Sequence, residues 1–403
     1  MLVRVVMVSK ALVVGAYQRK LEELARQPGI ELIAVVPPGW RDRRGAVRME
    51  RAHTQGYELC VAPLVFSGQY HLHFYPTAGV LLRRLRPDVL HVDEEPYNLA
   101  TWHLLRIGQA IGARGVFFTW QNLHRRYPWP FRHFEQANYR RAAHAIAGSE
   151  AAAAVLRDKG YRGPISVIPQ FGVDPAIFSP ASERTGDREQ GMEPAGPGSI
   201  SNPLPSAASP SAPSFVIGYA GGLVPEKGAD MLLCACAALP CPDWTLLILG
   251  DGPERARLAD LAARELPAVQ GRVHFLKHLP STAMPGFYRQ LDVLVLPSRS
   301  CANWTEQFGR VLIEAMACGV PVAGSSCGEI PNVVGDAGII FPEGDVNALS
   351  QVLAALAADR SRRAELSAQG RARVLARYTQ ARIATETAGV YRQLMGADAG
   401  AAS

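Results

Sequence analysis

Short apolar runs of three to seven residues recur along this chain in two series, each run followed by a stretch with helical spacing. Val3–Val8, Ile30–Val36, Val89–Val92, Gly115–Thr119, Ala145–Ala147 and Ile165–Ile168 make the first series. Phe215–Ala220, Thr245–Leu249, Val273–Leu276, Val293–Leu296, Pro321–Ala323 and Gly338–Phe341 make the second. The intervening helical stretches include 17–27, with Leu21, Leu24 and Ala25 on one face. Short strands alternating with helices predict parallel sheets covered on both faces. Between the series, Pro180 to Ser214 is rich in Pro, Ser, Ala and Gly and lacks aromatic residues and valine, so it reads as a flexible linker. The 403 residues are therefore expected to form an α/β protein with two domains facing across a cleft. Residues 1–178 and 215–378 are the expected domains, joined by the linker 179–214. A terminal helix within 379–403 is expected to pack back on the first domain.

Charge and cysteine narrow the class. Of the net charge of +6, the first 178 residues carry 23 basic and 14 acidic side chains, so the basic excess lies wholly in the N-terminal half. No nucleic-acid-binding motif accompanies it, and nucleic acid is not an expected partner. The seven cysteines include no C-x-x-C pair and no zinc spacing, which points to reduced thiols in a cytoplasmic protein. No apolar run is long enough to span a bilayer, and Arg4 and Lys10 interrupt the first strand where a signal sequence would stay apolar.

The run from Trp304 to Val322 carries the most chemistry. Glu306 and Glu314 lie eight residues apart, with Phe308 and Gly309 between them, where a helix should begin. Val311, Leu312, Ala315 and Met316 are expected to bury one face of that helix, and Gly319 ends it. Unpaired N–H groups at a helix start bind a diphosphate well, and a glycine there allows close approach. Two carboxylates flanking such a start can each accept hydrogen bonds from hydroxyl groups of a ligand. Gly218 to Gly228 forms a second strand–loop–helix turn containing Gly221, Gly222 and Lys227, and Leu249-Gly250-Asp-Gly-Pro253 forms a third.

Together these three turns resemble glycosyltransferase family 4. Its Glu-x7-Glu signature matches Glu306 to Glu314, its Gly-x-Leu-x-x-x-Lys-Gly loop matches Gly221 to Gly228, and its Gly-x-Gly-Pro turn matches Gly250 to Pro253. In the first half, Gly15, His91 to Pro96 and Pro169 to Asp174 resemble the family more loosely. The resemblance implies a GT-B fold of two Rossmann-like domains. It implies transfer of a sugar from a nucleotide-sugar, UDP- or GDP-linked, with retention of anomeric configuration and without metal or other cofactor. Lys227 would stabilise the leaving diphosphate, Glu306 would hold the transferred sugar beside Phe308 and Gly309, and Glu314 would hold the ribose. Gly15, Gly221, Gly222 and Gly250 would complete the donor site, with Lys227 and Glu306 as its catalytic pair. The base would be read near Lys277 and His278. Two departures stand out. Gly222 occupies a position where the family usually has arginine, a charge that Arg299 or Arg310 could supply, and Gln121 occupies one where it often has histidine.

Glu94, Glu95, Tyr97, Gln121 and Asn122 are the expected acceptor contacts. Asp93-Glu94-Glu95 lacks the further ligands of a metal site. Arg41, Arg43, Arg44, Arg48 and Arg51 form a basic run, and residues 125–133 mix arginines with Tyr127, Trp129 and Phe131. Such a mixture suits either a solvated loop or an anionic membrane surface that presents a lipid-linked acceptor. The expected acceptor is a glycan or lipid-linked precursor of a glycolipid or surface polysaccharide. A non-catalytic nucleotide-sugar-binding protein and a GT-B nucleotide-sugar epimerase are the alternatives.

Overall fold

The computed structural model describes residues 2–42, 45–181, 215–241, 243–277 and 279–396. Of the expected linker 179–214, residues 182–214 lie outside the described residues, as do Arg43, Arg44 and His278. The first half contains strands β1 (Val3–Val8), β2 (Ile30–Val36), β3 (Gly39–Asp42), β4 (Gly45–Arg48), β5 (Glu58–Val61), β6 (Val89–Val92), β7 (Arg114–Thr119), β8 (His144–Ala147) and β9 (Ile165–Val167). Its helices are α1 (Arg19–Ala25), α2 (Ala78–Leu85), α3 (Leu99–Ala110), α4 (Phe131–Arg141) and α5 (Glu150–Asp158). The second half adds β10 (Phe215–Ala220), β11 (Trp244–Leu249), β12 (Val273–Leu276), β13 (Val293–Leu296), β14 (Val322–Ser325) and β15 (Ile339–Phe341). Its helices are α6 (Ala229–Ala237), α7 (Arg255–Asp260), α8 (Met284–Tyr288), α9 (Arg310–Ala317), α10 (Ile330–Val334), α11 (Val346–Ala358), α12 (Arg360–Arg377) and α13 (Gln380–Gly396).

Two parallel sheets result, in the orders β5-β2-β1-β6-β7-β8-β9 and β12-β11-β10-β13-β14-β15. Along the first sheet, Val5, Met7, Leu32 and Ala34 enter one apolar layer while Val6, Val8, Ile33 and Val35 enter the other. Both faces must therefore be covered, which is why these strands read as continuous apolar runs. The strand order reverses between β1 and β6 in the first sheet and between β10 and β13 in the second. Loops leaving strands on either side of such a reversal diverge and open a crevice at the strands' C-terminal ends. The residues singled out in the sequence follow β1, β6 and β7 in one half, and β10, β11 and β13 in the other.

Some elements differ from expectation. The helix expected over 17–27 begins as a 3-10 turn, Gly15–Gln18, before α1. The edge strand β5 and the antiparallel hairpin β3–β4 were not expected; glycines and charged residues break any apolar run in the hairpin, whereas β5 holds a short apolar run, Leu59-Cys-Val61. The hairpin holds Arg41 and Arg48. Val173 and Phe178 already pack in the second domain's core, so the chain crosses over before residue 178. The chain returns at the other end: α12 packs on α9, and α13 packs on α1 and β1. Ile383, Ala384, Ala388, Tyr391 and Leu394 of α13 join the first domain's core. Tyr391, fully buried, bonds its hydroxyl to His91 Nδ1 at 2.6 Å. Among the described residues no helix is long and apolar enough to cross a membrane.

Tyr391→Ala should destabilise the protein by about 3–5 kcal/mol, as for other large-to-small changes at fully buried aromatic positions. Urea unfolding would check this. A loss below about 1 kcal/mol would show that α13 does not hold the first domain together.

Candidate active site

The loops after β10 and β13 build one wall of the cleft. After β10 the chain passes Gly221 and Gly222 to a 3-10 turn, Pro225–Lys227. After β13 it passes Ser298 and Glu306 to Gly309, the N-cap of α9. Gly309 has φ +79°, and a Cβ there would lie 2.9 Å from Leu312 and 3.0 Å from Leu296, so a side chain would strain the entry into α9. Gly221, Gly222, Lys227, Glu306, Phe308 and Gly309 line one cavity of about 310 Å³. An adjoining cavity of about 870 Å³ shares Gly221, Gly222 and Val311 and extends to Gly250. A Cβ at Gly250 would sit 1.9 Å from the Gly221 carbonyl oxygen, so these two loops touch through glycine. Val311, expected in the core, instead lines both cavities, and Ile313 and Ala317 are buried with Leu312, Ala315 and Met316.

Lys227 and Glu306 meet in the first cavity. Lys227 Nζ donates to Glu306 Oε2 at 2.6 Å, and Ser298 Oγ donates to the same oxygen at 2.8 Å. The Lys227 ammonium also lies over the Trp304 ring, 5.0 Å from its centroid. Glu314 lines neither cavity. It is buried, its Oε2 accepts from the Tyr288 hydroxyl at 2.7 Å, and its Oε1 lies 2.7 Å from Arg310 Nε. Tyr288 and Ser298 carried no signal in the sequence, because nothing in their spacing relates them to the two glutamates. Arg310 lines the first cavity, whereas Arg299 is paired with Asp230 at 3.1 Å. Gly15 is not on the cavity wall: its N–H donates to Glu50 Oε2 at 2.6 Å. Tyr17 of the same loop touches two residues of the cavity wall, stacking on Phe171 at 4.3 Å and facing the Arg310 guanidinium at 5.1 Å.

The N-terminal residues form two groups. Asp93 and Glu94 are buried and Glu95 is partly buried, and the three diverge. Asp93 pairs with Lys20 at 3.2 Å, Glu94 pairs with Lys10, and Glu95 accepts from Thr119 Oγ1 at 2.6 Å and from Trp120 N at 2.8 Å. Burial pushes the Glu94 carboxyl up, yet the Lys10 charge and a His73 hydrogen bond outweigh it and hold it down at about 2. Burial dominates at Glu95 and pushes its carboxyl up to about 7. Tyr97 packs against Tyr127 at 4.2 Å and His71 at 5.3 Å. Gln121 is buried, with Oε1 3.4 Å from Lys159 Nζ. Asn122 reaches the other domain, where its Nδ2 donates to the Glu306 carbonyl at 3.2 Å. Gln307 Nε2 donates to the Trp120 carbonyl at 3.1 Å, and Arg125 bonds the Asn303 carbonyl. The loop 120–125 therefore joins the two halves at Glu306. Among the described residues, no group of three or more His, Cys, Asp or Glu side chains is placed to hold a metal ion.

Known proteins align with both halves. A family model described as glycosyl transferases group 1 matches residues 207–373, and one described as glycosyltransferase family 4 matches residues 18–177. A 2-deoxystreptamine N-acetyl-D-glucosaminyltransferase of Streptomyces fradiae is 28% identical over 87% of this chain and 81% of its own. The lipopolysaccharide core biosynthesis mannosyltransferase LpsB of Rhizobium meliloti is 31% identical over 59% of this chain and 64% of its own. In three dimensions, a sucrose-phosphate synthase from Thermosynechococcus elongatus superposes with TM-score 0.69 at 20% identity, covering 98% of this chain and 99% of that one. Anabaena HepE, in complex with UDP and glucose, superposes with TM-score 0.66 at 18% identity, covering 97% of this chain and 100% of that one.

Glu95 gives this site a dependence on pH. With its carboxyl raised from 4.5 to about 7, the folded protein holds a proton there that the unfolded chain has lost. The resulting stabilisation is complete below the unfolded value and disappears as pH rises through about 7. Glu95→Gln, which cannot ionise, should gain stability relative to wild type between pH 5 and 8, by at most about 3 kcal/mol. Thermal unfolding of both proteins across that range checks it, and a difference flat with pH would refute it.

Proposed function

Because this chain belongs to glycosyltransferase family 4 and has a GT-B fold, we propose that it transfers a hexose from a UDP- or GDP-sugar to a hydroxyl of a glycan or lipid-linked acceptor, with retention and without a metal ion. The observation that carries this reading is the meeting of Lys227 and Glu306 on the wall where α9 begins. The donor diphosphate would lie against the Lys227 ammonium and the first N–H groups of α9, which supply positive potential where a divalent ion otherwise would. Glu306 would accept a hydrogen bond from a hydroxyl of the transferred sugar, and Glu314 one from the ribose. The nucleoside would extend into the larger cavity beside Gly250.

Transfer then follows as a front-face displacement. The acceptor oxygen bonds to the anomeric carbon as the bond from that carbon to the diphosphate oxygen breaks. The departing electron pair stays on the diphosphate, and the acceptor's proton passes to one of its oxygens. No side chain is needed as nucleophile, so the protein acts by positioning and by stabilising the leaving charge. Relatives named for N-acetylglucosaminyl and mannosyl transfer, and a structural neighbour holding UDP and glucose, support this donor class. The acceptor would enter past Glu95, Tyr97, Gln121 and Asn122. Trp129, 82% exposed among the arginines of 125–132, would rest on an anionic membrane surface at the cytoplasmic face.

Calorimetry and turnover assays over a panel of UDP- and GDP-sugars in EDTA test the reading. Lys227→Ala and Glu306→Gln should each lower kcat by roughly 10²-fold or more, and Glu314→Ala should lose donor binding. The metal-free donor site is wrong if no sugar nucleotide binds, or if binding needs a divalent ion. Release of an altered free sugar without acceptor would instead make the protein an epimerase.

A further inference from the structure

Resting on the donor reading above, we propose that Arg310 is the second cation for the donor diphosphate and leaves Glu314 to reach it when the nucleotide binds. Of the residues lining the smaller cavity, Lys227 and Arg310 alone are cationic, and Lys227 is already engaged by Glu306. A nucleoside diphosphate brings more than one negative charge into a partly closed space, and one shared ammonium does not balance it.

Arg310 is placed and oriented for the task. It is the first residue of α9, next to the Gly309 cap whose N–H groups open on the same wall. Its guanidinium lies between the Glu314 carboxylate and the Tyr17 ring. That contact runs through a single nitrogen, Nε, 2.7 Å from Glu314 Oε1. The planar guanidinium fork suits two oxygens of a phosphate group. The exchange is also balanced in charge. Ribose hydroxyls would take the Glu314 oxygen while the diphosphate takes the guanidinium, so neither buried charge is left alone. Tyr17 belongs to the first domain, stacks on Phe171 of the cavity wall and holds the cation from across the cleft. Across the cavity, Gly222 leaves room for a substitute, because a Cβ there would meet nothing within 4 Å.

The test compares UDP with UMP, and GDP with GMP, by calorimetry on wild type, Arg310→Ala and Arg310→Ala/Gly222→Arg, with thermal melts to confirm folding. The wild type should prefer the diphosphate of the matching base. Arg310→Ala should shrink that preference about 10-fold or more and leave monophosphate affinity nearly unchanged. Gly222→Arg should restore the preference at least in part. Equal weakening of mono- and diphosphate would mean that Arg310 only holds Glu314, and an unchanged preference would mean that it touches no phosphate; either result overturns the proposal. Wild type that binds neither UDP nor GDP overturns the donor reading and this assignment with it.

Discussion

Glu306 is held through its amide, its carbonyl and its carboxylate. The amide lies 3.5 Å from the Cys327 thiol, the carbonyl accepts from Glu329 N at 3.0 Å and from Asn122 Nδ2, and the carboxylate accepts from Lys227 and Ser298. These partners come from the ends of β10, β13 and β14 and from the opposite domain. A buried carboxylate without a countercharge costs several kcal/mol. Placing Glu306 therefore requires that the Lys227 loop, the β14 loop and the Asn122 loop all arrive together. The cleft wall is thus one cooperative object, and its shape follows from satisfying a single charge.

The two sheets explain why the loops can arrive. In each, the strand order reverses beside the strand that opens the domain, and the chemistry-bearing loops leave from there. The domains use this geometry differently. On the second sheet the loops are glycine-rich and leave cavities open. On the first, the carboxylates after β6 turn inward, each toward its own partner, and the aromatic rings of His71, Tyr97 and Tyr127 cover the ends. The carboxyls of adjacent Glu94 and Glu95 are pushed in opposite directions from their ordinary value: burial raises both, but at Glu94 the Lys10 ammonium outweighs it, whereas at Glu95 bonds from a hydroxyl and an amide do not.

The strands and the glycine turns of the second half were legible because each is encoded locally. A buried parallel strand must be apolar on both faces, and a glycine at a helix start has a conformational reason that its neighbours reveal. The hairpin β3–β4 was not legible, since Gly39, Arg41, Gly45 and Arg48 break any apolar run and it lies apart from both large sheets. Nor were Tyr288 and Ser298, whose bonds to Glu314 and Glu306 depend on tertiary packing. Gly15 shows the same limit from the other side. The sequence marks a glycine loop near the cleft, but Glu50, 35 residues on, takes its N–H, and Tyr17 is the residue of that loop that touches the cavity wall, at Phe171 and Arg310.

The cleft is also fixed from behind. The outgoing chain at Val173 and the returning chain at Tyr378–Gln380 run side by side, with Val173 N bonded to Tyr378 O and Gln380 N bonded to Val173 O. A Cβ at Gly172 would lie 2.4 Å from the Tyr378 carbonyl, so the two crossings are as close as backbones can be. Beyond them α12 stays with the second domain and α13 with the first. At the front, Glu329 of the β14 loop and Glu150 at the start of α5 in the other domain line one cavity, and Asn122 of that domain donates to the Glu306 carbonyl. The loop that carries Glu329 also holds the Glu306 backbone. Because Asn122 and Glu329 N meet on the one Glu306 carbonyl, a rotation of the domains about the paired crossings acts directly on the Glu306 backbone, so the approach of the first domain and the placement of that carboxylate are mechanically coupled.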